Sequence, residues 1–558
     1  MMKPRALLLL AATLSTSSLH AQWQTTTYNL KGGWNAIHLT GDVRQGTLES
    51  LLPPTVIEVW RWNPNPTQVQ FIESPLIPSA GTPEWSVWKR GEPENSSLTQ
   101  LSGQAAYLVK CSGTSSNSYT VPLLEATRPP SNQWVRNGAN LMGFPVAGSG
   151  GSSPLMSAYF ASFPIATATN TRIFKYVGGD LGAANPLQVF SPTAERIDRT
   201  KAYWFSADVV GNFYAPVEIN LSTNDGLAFG RAGAVVKAQI RNRTSAPITL
   251  NFAPVASEAA PAGQTPVTGP VPLTRRSYNG TTLLWEETPL SGSFQEVIAP
   301  QATTEINFGI DRAAMGAAPA DAFFASLLRV TDSGNLIDIY LPASATKTSL
   351  AGLWVGDVSL NKVSNASTTA GNAPQPFPLR TLLHVADNGT ASLLSQVFIG
   401  RLAAGAHEVG VCTSESLLDG SSLATAQRLV AAHMPLDQVI SSGSGSVVAG
   451  GSLVRTIQIP YNDPTNPFVH QYHPDHDNKN ARGQTLGPGV ESYSVTRTCT
   501  FNFTSSPPAG STTTSGWGSS TIGGTYQEVI TGLHRNPITL TGTFELRRAN
   551  ELGTLYVP

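Results

Sequence analysis

A degenerate internal repeat in the first half of the chain constrains the fold more than any other feature of the sequence. Its first copy opens with Gly33–Leu39 (GWNAIHL), and its second copy opens with Gly138–Pro145 (GANLMGFP). Three further pairs of matched segments keep the same order: Val59–Asn63 and Ile173–Val177, Ala106–Val109 and Ala202–Phe205, Tyr119–Pro122 and Tyr214–Val217. Each segment alternates apolar and polar residues or is a short apolar run, as strands do. Such self-similarity indicates repeated structural units, here two small β modules at residues 22–127 and 128–222.

The segments of the first copy resemble a known kind of module. An opening of the GWNAIHL type, followed by the VWRWN strand Val59–Asn63 and the AYLV strand Ala106–Val109, is similar to the GWN-type repeat modules of bacterial exported and surface proteins. The resemblance covers Trp23 to Leu221, and the second copy departs from it because Ala139 stands where the first copy has Trp34. The resemblance implies an extracellular β module that carries no catalytic residues.

The first copy is unusually rich in tryptophan, since six of the eleven tryptophans lie in residues 23–88. Trp60 and Trp62 are two positions apart, so they point to the same face of a strand. If that face is exposed, the pair is a candidate ligand-binding platform, because indole rings pack well against the C–H groups of sugars. If it is covered, the pair belongs to the core of a small β module. Phe174 and Tyr176, at the equivalent positions of the second copy, favour the core.

The N-terminus has the pattern of a secretory signal peptide, residues 1–21. Lys3 and Arg5 supply a positive start, Ala6–Leu14 is an apolar run too short to span a bilayer, and a small, polar stretch leads to an expected cleavage after Ala21. No later segment reaches about 20 consecutive apolar residues, so no transmembrane segment is expected in the mature chain. We therefore expect export to the cell surface or the extracellular space, with the periplasm as an alternative.

The middle of the chain, residues 223–346, has the strand spacing of an immunoglobulin-like β-sandwich. The turn sequence Asp332–Asn335 (DSGN) lies between two apolar segments, Leu327–Val330 and Leu336–Leu341, and this arrangement predicts a hairpin. The Ala-rich segment Ala313–Phe324 predicts a short helix. The domain is therefore expected to be two packed sheets with little helix.

The last part, residues 347–558, predicts a C-terminal β domain that is a barrel or a sandwich with one helix. Asp387–Gly389 (DNG) lies between apolar segments and is typical of a hairpin turn. Ser422–His433 places apolar residues at helical spacing, which predicts the helix. The Gly-x-Trp start at Gly352–Trp354 and the finish at Gly542–Arg548 (GTFELRR) resemble a calycin-type barrel.

Charge and cysteine content exclude several classes of protein. The net charge is −1 and only 13% of residues are charged; because nucleic acids are bound through clustered positive charge, no nucleic-acid partner is expected. Three cysteines are too few for a disulfide-rich framework. Cys412 and Cys499 both fall in the last domain and form a candidate disulfide, which leaves Cys111 buried or reactive. No Cys-x-x-Cys spacing occurs, so a thiolate zinc site has no support.

The densest group of metal-binding side chains lies in Tyr461–Arg482 (YNDPTNPFVHQYHPDHDNKNAR). Its candidate ligands are His470, His473, His476, Asp475 and Asp477. Residues three apart fall on one side of an extended, proline-rich path, zinc prefers imidazole donors, and calcium prefers carboxylate and amide oxygens. Three interpretations stay open: a polar loop held by its own hydrogen bonds, a structural calcium or zinc site, or a catalytic metal site.

Other enzyme signatures are missing from the sequence. It has no HExxH motif, no Walker A motif, no dinucleotide fingerprint after a strand, and no GxSxG in a strand–turn–helix setting. We therefore expect an exported protein with an architectural or binding, adhesion-like role and no catalysis, whose partners are polysaccharide or other surface proteins. The first alternative is a lectin-like protein that binds carbohydrate through Trp60 and Trp62. The second is a metal-dependent hydrolase that uses His470, His473 and His476.

Overall fold

The protein is mainly β, as the sequence predicts: 54% of the residues are in strands and 6% in helices. The computed structural model describes residues 22–64, 84–135, 138–148, 150–182, 185–207, 211–316, 318–364, 370–403, 409–412, 426–433, 441–459, 482–485, 495–509, 516–531 and 537–554. Almost all of the described strand pairs are antiparallel, and many strands that are neighbours in a sheet are far apart in sequence.

The first module consists of two packed sheets. Its strands are β1 (Trp23–Lys31), β2 (Gly33–Leu39), β3 (Gly41–Asp42), β4 (Val56–Trp62), β5 (Trp85–Lys89), β6 (Ala105–Cys111) and β7 (Ser118–Thr127), with a helical turn α1 (Leu48–Leu51) and a 3-10 turn (Pro93–Asn95). One sheet has the order β1-β7-β3 and the other β2-β6-β4-β5. A core that includes Tyr28, Leu39, Tyr107 and Val121 lies between them.

The second module repeats this topology. Its strands are β8 (Gln133–Trp134), β9 (Gly138–Met142), β10 (Arg172–Lys175), β11 (Leu187–Gln188), β12 (Tyr203–Ala207) and β13 (Gly211–Asn212), with α2 (Met156–Tyr159) and 3-10 turns at Gly150–Ser152, Phe160–Ser162 and Pro164–Thr167. The sheet order β9-β12-β10-β11 matches β2-β6-β4-β5 strand for strand, and β8–β13 corresponds to β1–β7. The predicted repeat is therefore confirmed as a duplicated arrangement of strands.

Two asparagines show how closely the copies correspond. Asn35 accepts from the backbone N–H of Lys31 at 2.9 Å and donates to the carbonyl of Val109 at 3.4 Å. Asn140 accepts from the backbone N–H of Val135 at 2.8 Å and donates to the carbonyl of Phe205 at 3.4 Å. Each side chain ties the segment before its strand to the neighbouring strand. The Asn of the GWN and GAN openings therefore has one structural role in both copies.

A β-sandwich follows the modules. Its strands are β14 (Val217–Leu221), β15 (Leu227–Gly230), β16 (Val235–Asn242), β17 (Ile248–Ala256), β18 (Val267–Gly269), β19 (Leu273–Asn279), β20 (Leu284–Pro289), β21 (Phe294–Ile298), β22 (Thr303–Ile310), β23 (Phe323–Asp332) and β24 (Asp338–Thr346). The sheets have the orders β14-β16-β22-β19-β20 and β15-β24-β23-β17-β21, and β18 pairs with β23. The predicted hairpin is β23–β24, whose turn residue Asp332 accepts from the backbone N–H groups of Gly334 and Leu336.

The Ala-rich segment of the sandwich forms less helix than predicted. Only a 3-10 turn, Arg312–Met315, is present in the described part of this segment, and Asp311 caps it by accepting from two backbone N–H groups. Gly316 follows with a φ of 60°, outside helical conformation, and β23 begins at Phe323. Because a helix needs a longer uninterrupted run to be stable, Gly316 and Pro319 keep this segment short.

The second module and the sandwich share one hydrophobic core, which runs from Trp134 through Phe205, Ile240 and Leu328 to Ala345. The strand β14 follows the second module directly in sequence, and it pairs with β16 of the sandwich. The boundary predicted between residues 222 and 223 therefore separates two strands that lie side by side in one sheet. These two parts are packed together and are not beads on a linker.

The C-terminal domain is one long, curled sheet. Its strands are β25 (Gly352–Ser364), β26 (Ala370–Val385), β27 (Ala391–Ala403), β28 (Val409–Cys412), β29 (Ala426–His433), β30 (Ser441–Gly445), β31 (Ser452–Ile459), β32 (Val495–Phe503), β33 (Thr521–Thr531) and β34 (Ile538–Arg548). The order is β28-β27-β26-β25-β34-β33-β32-β31-β30. Arg455 on β31 donates to the carbonyl of Ala391 on β27, so strands from opposite ends of the order meet and the domain is barrel-like.

The helix predicted at Ser422–His433 is wrong over Ala426–His433. These residues form β29, which pairs antiparallel with β27 and places His433 opposite Val397. A short apolar run such as Leu429–Ala432 suits a helix and a strand equally well by its pattern alone. Pairing with β27 supplies backbone hydrogen bonds along the segment, and these favour the strand.

Candidate functional site

The tryptophans of the first module lie in a buried cluster and do not form a surface platform. Trp60 and Trp62 are each 5% exposed. The Trp62 ring centroid is 5.2 Å from that of Trp85 and 5.5 Å from that of Trp204 in the second module, and its indole N–H donates to the carbonyl of Ala139 at 2.8 Å. A sugar platform needs exposed ring faces, so the predicted binding role of Trp60 and Trp62 is not supported. The alternative interpretation, core packing, is the one that fits.

This buried cluster forms because the two modules pack through the same face. Six positions that the first module contributes have their repeat equivalents in the cluster, while Trp85 and Val87 of β5 have none there. The equivalent pairs are Trp34 and Ala139, Ala36 and Leu141, Trp60 and Phe174, Trp62 and Tyr176, Ala106 and Ala202, and Leu108 and Trp204. The sheet β2-β6-β4-β5 is thus covered on both faces, which removes its aromatic residues from solvent.

Backbone contacts lock the two modules together at the GWN opening. The N–H of Trp34 donates to the carbonyl of Gly179 at 2.8 Å, and the N–H of His38 donates to that of Thr200 at 3.0 Å. Gly33 has a φ of 82°, and a Cβ there would lie 2.4 Å from the Gly179 oxygen. A larger residue at Gly33 therefore fits neither the backbone conformation nor the space, which explains the glycine of the motif.

The sandwich has an exposed face with the aromatic and polar side chains that a sugar-binding surface needs. On β16, Val236, Ala238 and Ile240 point into the core, so the residues between them point to solvent. On β22, Phe308 is buried in the core and Asn307 faces the other way. Asn307 lies opposite Lys237 in the register, on the same side of the sheet. The sheet β14-β16-β22-β19-β20 therefore has a polar outer face.

An aromatic pair lies at one edge of this outer face, on the β19–β20 hairpin. Tyr278 and Trp285 are directly opposite each other, with ring centroids 5.6 Å apart in an edge-to-face arrangement. Tyr278 is 53% exposed and Trp285 is 44% exposed. The Arg276 guanidinium lies 4.9 Å from the Trp285 ring centroid. Because Arg276 is opposite both Glu287 and Asn307, all five side chains are on one face. We call this set the aromatic face.

Charges next to the aromatic pair are held in place by partners. Lys237 and Glu305 form an ion pair at 3.1 Å, and the hydrogen bond from Lys237 lowers the pKa of Glu305. Glu287 is half-buried beside Arg276 and Thr274, and burial raises its pKa above the usual value. The face therefore presents fixed donors and acceptors beside two ring surfaces. That combination suits a ligand with both C–H surface and hydroxyl groups.

Sequence reasoning missed this pair because it considered only whether each segment is a strand and not which residues face each other across a hairpin. The turn between the two strands was a local signal for the pair. Asn279–Gly280 is a turn sequence, and a hairpin through it brings Tyr278 close to the residues that start the returning strand. Asn279 is paired with Leu284, so the loop spans residues 280–283, longer than a two-residue turn, and the partner of Tyr278 is Trp285.

The histidine- and aspartate-rich stretch falls outside the described residues, except for Arg482 at its end. The candidate ligands His470, His473, His476, Asp475 and Asp477 are therefore untested, and a calcium or zinc site there stays a prediction. The stretch connects β31 and β32, whose ends Ile459 and Val495 are paired. In the part of the chain that the structure describes, no group of three or more His, Cys, Asp or Glu side chains is arranged to hold a metal ion.

Two of the three cysteines, Cys111 and Cys499, have buried thiols in the described part of the chain. Cys111 is buried in the first module, and burial raises its pKa to about 12, which opposes thiolate reactivity. Cys499 is buried inside the C-terminal barrel, and burial likewise raises its pKa to about 12. The side chain of Cys412 lies outside the described residues, so its pairing with Cys499 stays a prediction.

The barrel interior also holds a buried ion pair. Arg497 donates to Glu528, and both side chains have no exposed surface. The Tyr526 hydroxyl donates to the second Glu528 oxygen at 2.7 Å. Apolar residues of β32 to β34, including Phe501 and Phe544, surround the group. Removing one partner of such a buried pair strongly destabilises the fold, because the other charge is left without a partner. The intact pair contributes little net stability.

Comparisons with known proteins add little to this geometry. No protein-family profile matches the chain, and no curated protein matches it. A crystal structure at 2.40 Å of a protein of unknown function from Bacteroides ovatus is similar to 61% of this chain and 96% of its own, with 10% sequence identity and a TM-score of 0.16. A likeness at that score carries no argument. Across the described ranges, no helix has both the length and the apolar character that crossing a bilayer requires.

Proposed function

We propose that the protein has an architectural and binding role outside the cell and that its aromatic face binds carbohydrate. The observation that carries this proposal is the exposed pair Tyr278 and Trp285, with Arg276 stacked on the indole. Large aromatic side chains that are left half exposed on a folded domain mark interaction surfaces more often than chance. Export rests on the signal-peptide pattern in residues 1–21.

Carbohydrate fits this face better than an apolar partner does. The two rings supply apolar surface for the C–H face of a sugar, whereas the side chains around them are charged or amide groups that hydrogen-bond hydroxyls. Asn307, Lys237 and Glu305 continue this polar surface across β22 and β16. The face is open, so a polymer can lie across it and continue beyond both edges. We therefore favour a polysaccharide over a small enclosed ligand.

The remainder of the described chain supports an architectural role. The two modules share the buried tryptophan cluster, and the second module shares its core with the sandwich. Gln22 at the start of the first module donates to the carbonyl of Ala343 in the sandwich at 3.0 Å. The backbone N–H and the hydroxyl of Thr25 both donate hydrogen bonds to the Glu258 carboxylate. These contacts hold the modules and the sandwich together, so the aromatic face is carried on a packed support.

A binding measurement with the full chain tests the proposal. A panel of bacterial and plant polysaccharides is screened by affinity electrophoresis, and the hits are titrated by calorimetry with wild type, Trp285→Ala and Phe190→Ala. Phe190 is the matched control because it is 83% exposed but lies on the second module. We expect Trp285→Ala to weaken binding by about tenfold or more, since stacking is worth roughly 1–3 kcal/mol, and Phe190→Ala to leave it unchanged. No binding, or equal loss in both variants, contradicts the proposal.

A further inference from the structure

A second candidate site lies where the sandwich meets the C-terminal domain. A half-open cavity of about 320 Å³ lies between the end of β24, the β26–β27 turn, the loop before β31 and the start of β33. This volume is within the range of small-molecule pockets. The cavity is distant in sequence and sheet from the aromatic face, and none of the residues that carry the proposed carbohydrate site line it.

One wall of the cavity is apolar and well fixed. It includes Phe503, Trp517 and Val447, all of which are buried. The Trp517 indole N–H donates to the carbonyl of Thr504 at 3.0 Å, so its polar atom is satisfied within the protein. What remains of Trp517 toward the cavity is apolar ring surface. This wall suits the hydrocarbon or aromatic part of a ligand.

Two positive charges, Arg312 and Lys347, also line the cavity, and neither has a carboxylate partner among the described residues. Arg312 is buried and donates only to backbone carbonyl oxygens, those of Thr346, Phe229, Gly230 and Gly233. Lys347 donates to the carbonyl of Gly316. Carbonyl oxygens satisfy hydrogen bonds but bring no negative charge, so the buried Arg312 has no counter-charge, which is unfavourable, while Lys347 is half-buried.

The ionisation of both cations reflects this imbalance. Burial lowers the pKa of Arg312 to about 10, and burial also lowers the pKa of Lys347. Asp387 is the one acidic group in the described lining, and it is exposed on the β26–β27 turn with no ion pair to Lys347. Near neutral pH the lining therefore has an excess of positive charge beside an apolar wall.

The segment that carries Lys347 is held in place, so the cavity is preformed. Arg548 of β34 donates to the carbonyls of Ser349 and Ala351, the latter at 2.6 Å from Nη2. The Trp354 indole N–H donates to the carbonyl of Leu350 at 2.9 Å. These bonds fix the connection between the two domains. A fixed pocket loses less entropy when a ligand binds than one that has to assemble.

We propose that this cavity binds an organic anion, a monocarboxylate with an apolar body. The carboxylate accepts from the Lys347 ammonium and lies near the positive charge of Arg312, and the apolar body packs against Trp517 and Phe503. The chemistry recognised is the same for a fatty acid and for an aromatic acid. The inference is independent of carbohydrate binding, because the two sites share no residue.

The test compares ligands of one shape and different charge with the full chain. Decanoate, decan-1-ol and decylamine are titrated by calorimetry, with the intrinsic fluorescence of the chain as a second readout because Trp517 lines the cavity. Phenylpropanoate distinguishes an aromatic from an aliphatic acid. We expect one decanoate per chain, bound about tenfold or more tightly than decanol, since hydrogen bonds to charged groups are worth roughly 1.5–3 kcal/mol, and no binding of decylamine.

Variants locate the carboxylate. Lys347→Gln is expected to remove the preference for decanoate over decanol, whereas Lys362→Gln, at an exposed lysine on β25, is expected to leave it unchanged. If Lys347→Gln does not fold, Lys347→Arg keeps the charge and the decanoate–decanol comparison in wild type still decides. The proposal is overturned if no probe binds, if decanol binds as tightly as decanoate, or if folded Lys347→Gln retains the preference.

Discussion

Two groups of aromatic residues in this protein look alike in sequence and behave in opposite ways. Trp60 and Trp62 alternate on β4 and are buried at 5% exposure, whereas Tyr278 and Trp285 face each other across β19 and β20 with about half of their surface exposed, 53% and 44%. Both groups lie on one face of a sheet. The difference is that a second module covers the face of β4, whereas no described residue buries Tyr278 and Trp285 on the outer face of the sandwich sheet.

Strand alternation assigns residues to one face of a sheet, but it does not reveal whether another part of the protein covers that face. The residues that cover Trp62 include Trp204 and Ala139, which are far away in sequence. Coverage of the tryptophan cluster is a consequence of the duplication, because each module supplies the partner face of the other. Substitutions in the buried group are therefore expected to change stability, and those in the exposed group to change binding.

Trp62→Ala is expected to destabilise the protein by about 3–5 kcal/mol, because it removes a buried indole and leaves a cavity between the modules. It also removes the hydrogen bond to Ala139. Urea unfolding followed by circular dichroism measures the change. Carbohydrate binding by the fraction that stays folded is expected to equal that of wild type. A loss below about 1 kcal/mol, together with weakened binding, reverses the assignment of the two groups.

The buried group is also expected to respond to acid through His38. This side chain is fully buried against the second module, and neither ring nitrogen has a hydrogen-bond partner in the described part of the protein. Burial, with a smaller contribution from Arg199, lowers the pKa of His38 to about 3. The unfolded chain takes up a proton below about 6.5 and the folded chain does not, so the stabilisation is complete above pH 6.5 and is lost as the pH falls toward 3.

The pH effect is measured as the difference in unfolding free energy between pH 7 and pH 4.5, in wild type and in His38→Leu. Wild type is expected to lose about 2–3 kcal/mol more than the variant over this interval, since each pKa unit corresponds to about 1.4 kcal/mol. Other groups that titrate contribute equally to both proteins. Equal slopes in the two proteins contradict the buried, neutral state of His38.

Gly143→Ala tests the closeness of the two modules with a smaller change. A Cβ at Gly143 would lie 2.2 Å from the Cβ of His38, its counterpart in the repeat. Two side chains at these equivalent positions do not fit, so we expect a loss of about 1–3 kcal/mol from overpacking. In a His38→Gly background the same substitution is expected to cost much less. An additive double mutant indicates that the two residues are not in contact.

Trp285→Ala is expected to change stability least. Surface substitutions are usually within about 0.5 kcal/mol of neutral, and this indole contacts only Tyr278 and Arg276 among the ring and cation contacts described for it. A melting curve and the polysaccharide titration on the same sample measure both properties. A large loss of stability with unchanged binding indicates a structural role for the hairpin.

The sequence predicts local structure well in this protein and coverage poorly. The repeat, the DSGN hairpin at Asp332–Asn335 and the shared face of Trp60 and Trp62 depend on residues close in sequence, and the structure confirms them. The burial of Trp60 depends on the second module, and the strand at Ala426–His433 depends on β27. Tyr278 and Trp285 were within reach as a hairpin pair, but their exposure depends on the whole sandwich.

Fluorine NMR of the full chain with 5-fluorotryptophan tests the central claim most directly. The eleven tryptophans give separate probes, and Trp285→Phe, Trp60→Phe and Trp62→Phe assign the three signals that matter. The account predicts that a bound polysaccharide shifts the Trp285 signal and that solvent perturbation also moves it, while the Trp60 and Trp62 signals stay unchanged. A ligand-induced shift at Trp60 or Trp62 with none at Trp285 would contradict the account and return the binding site to the first module.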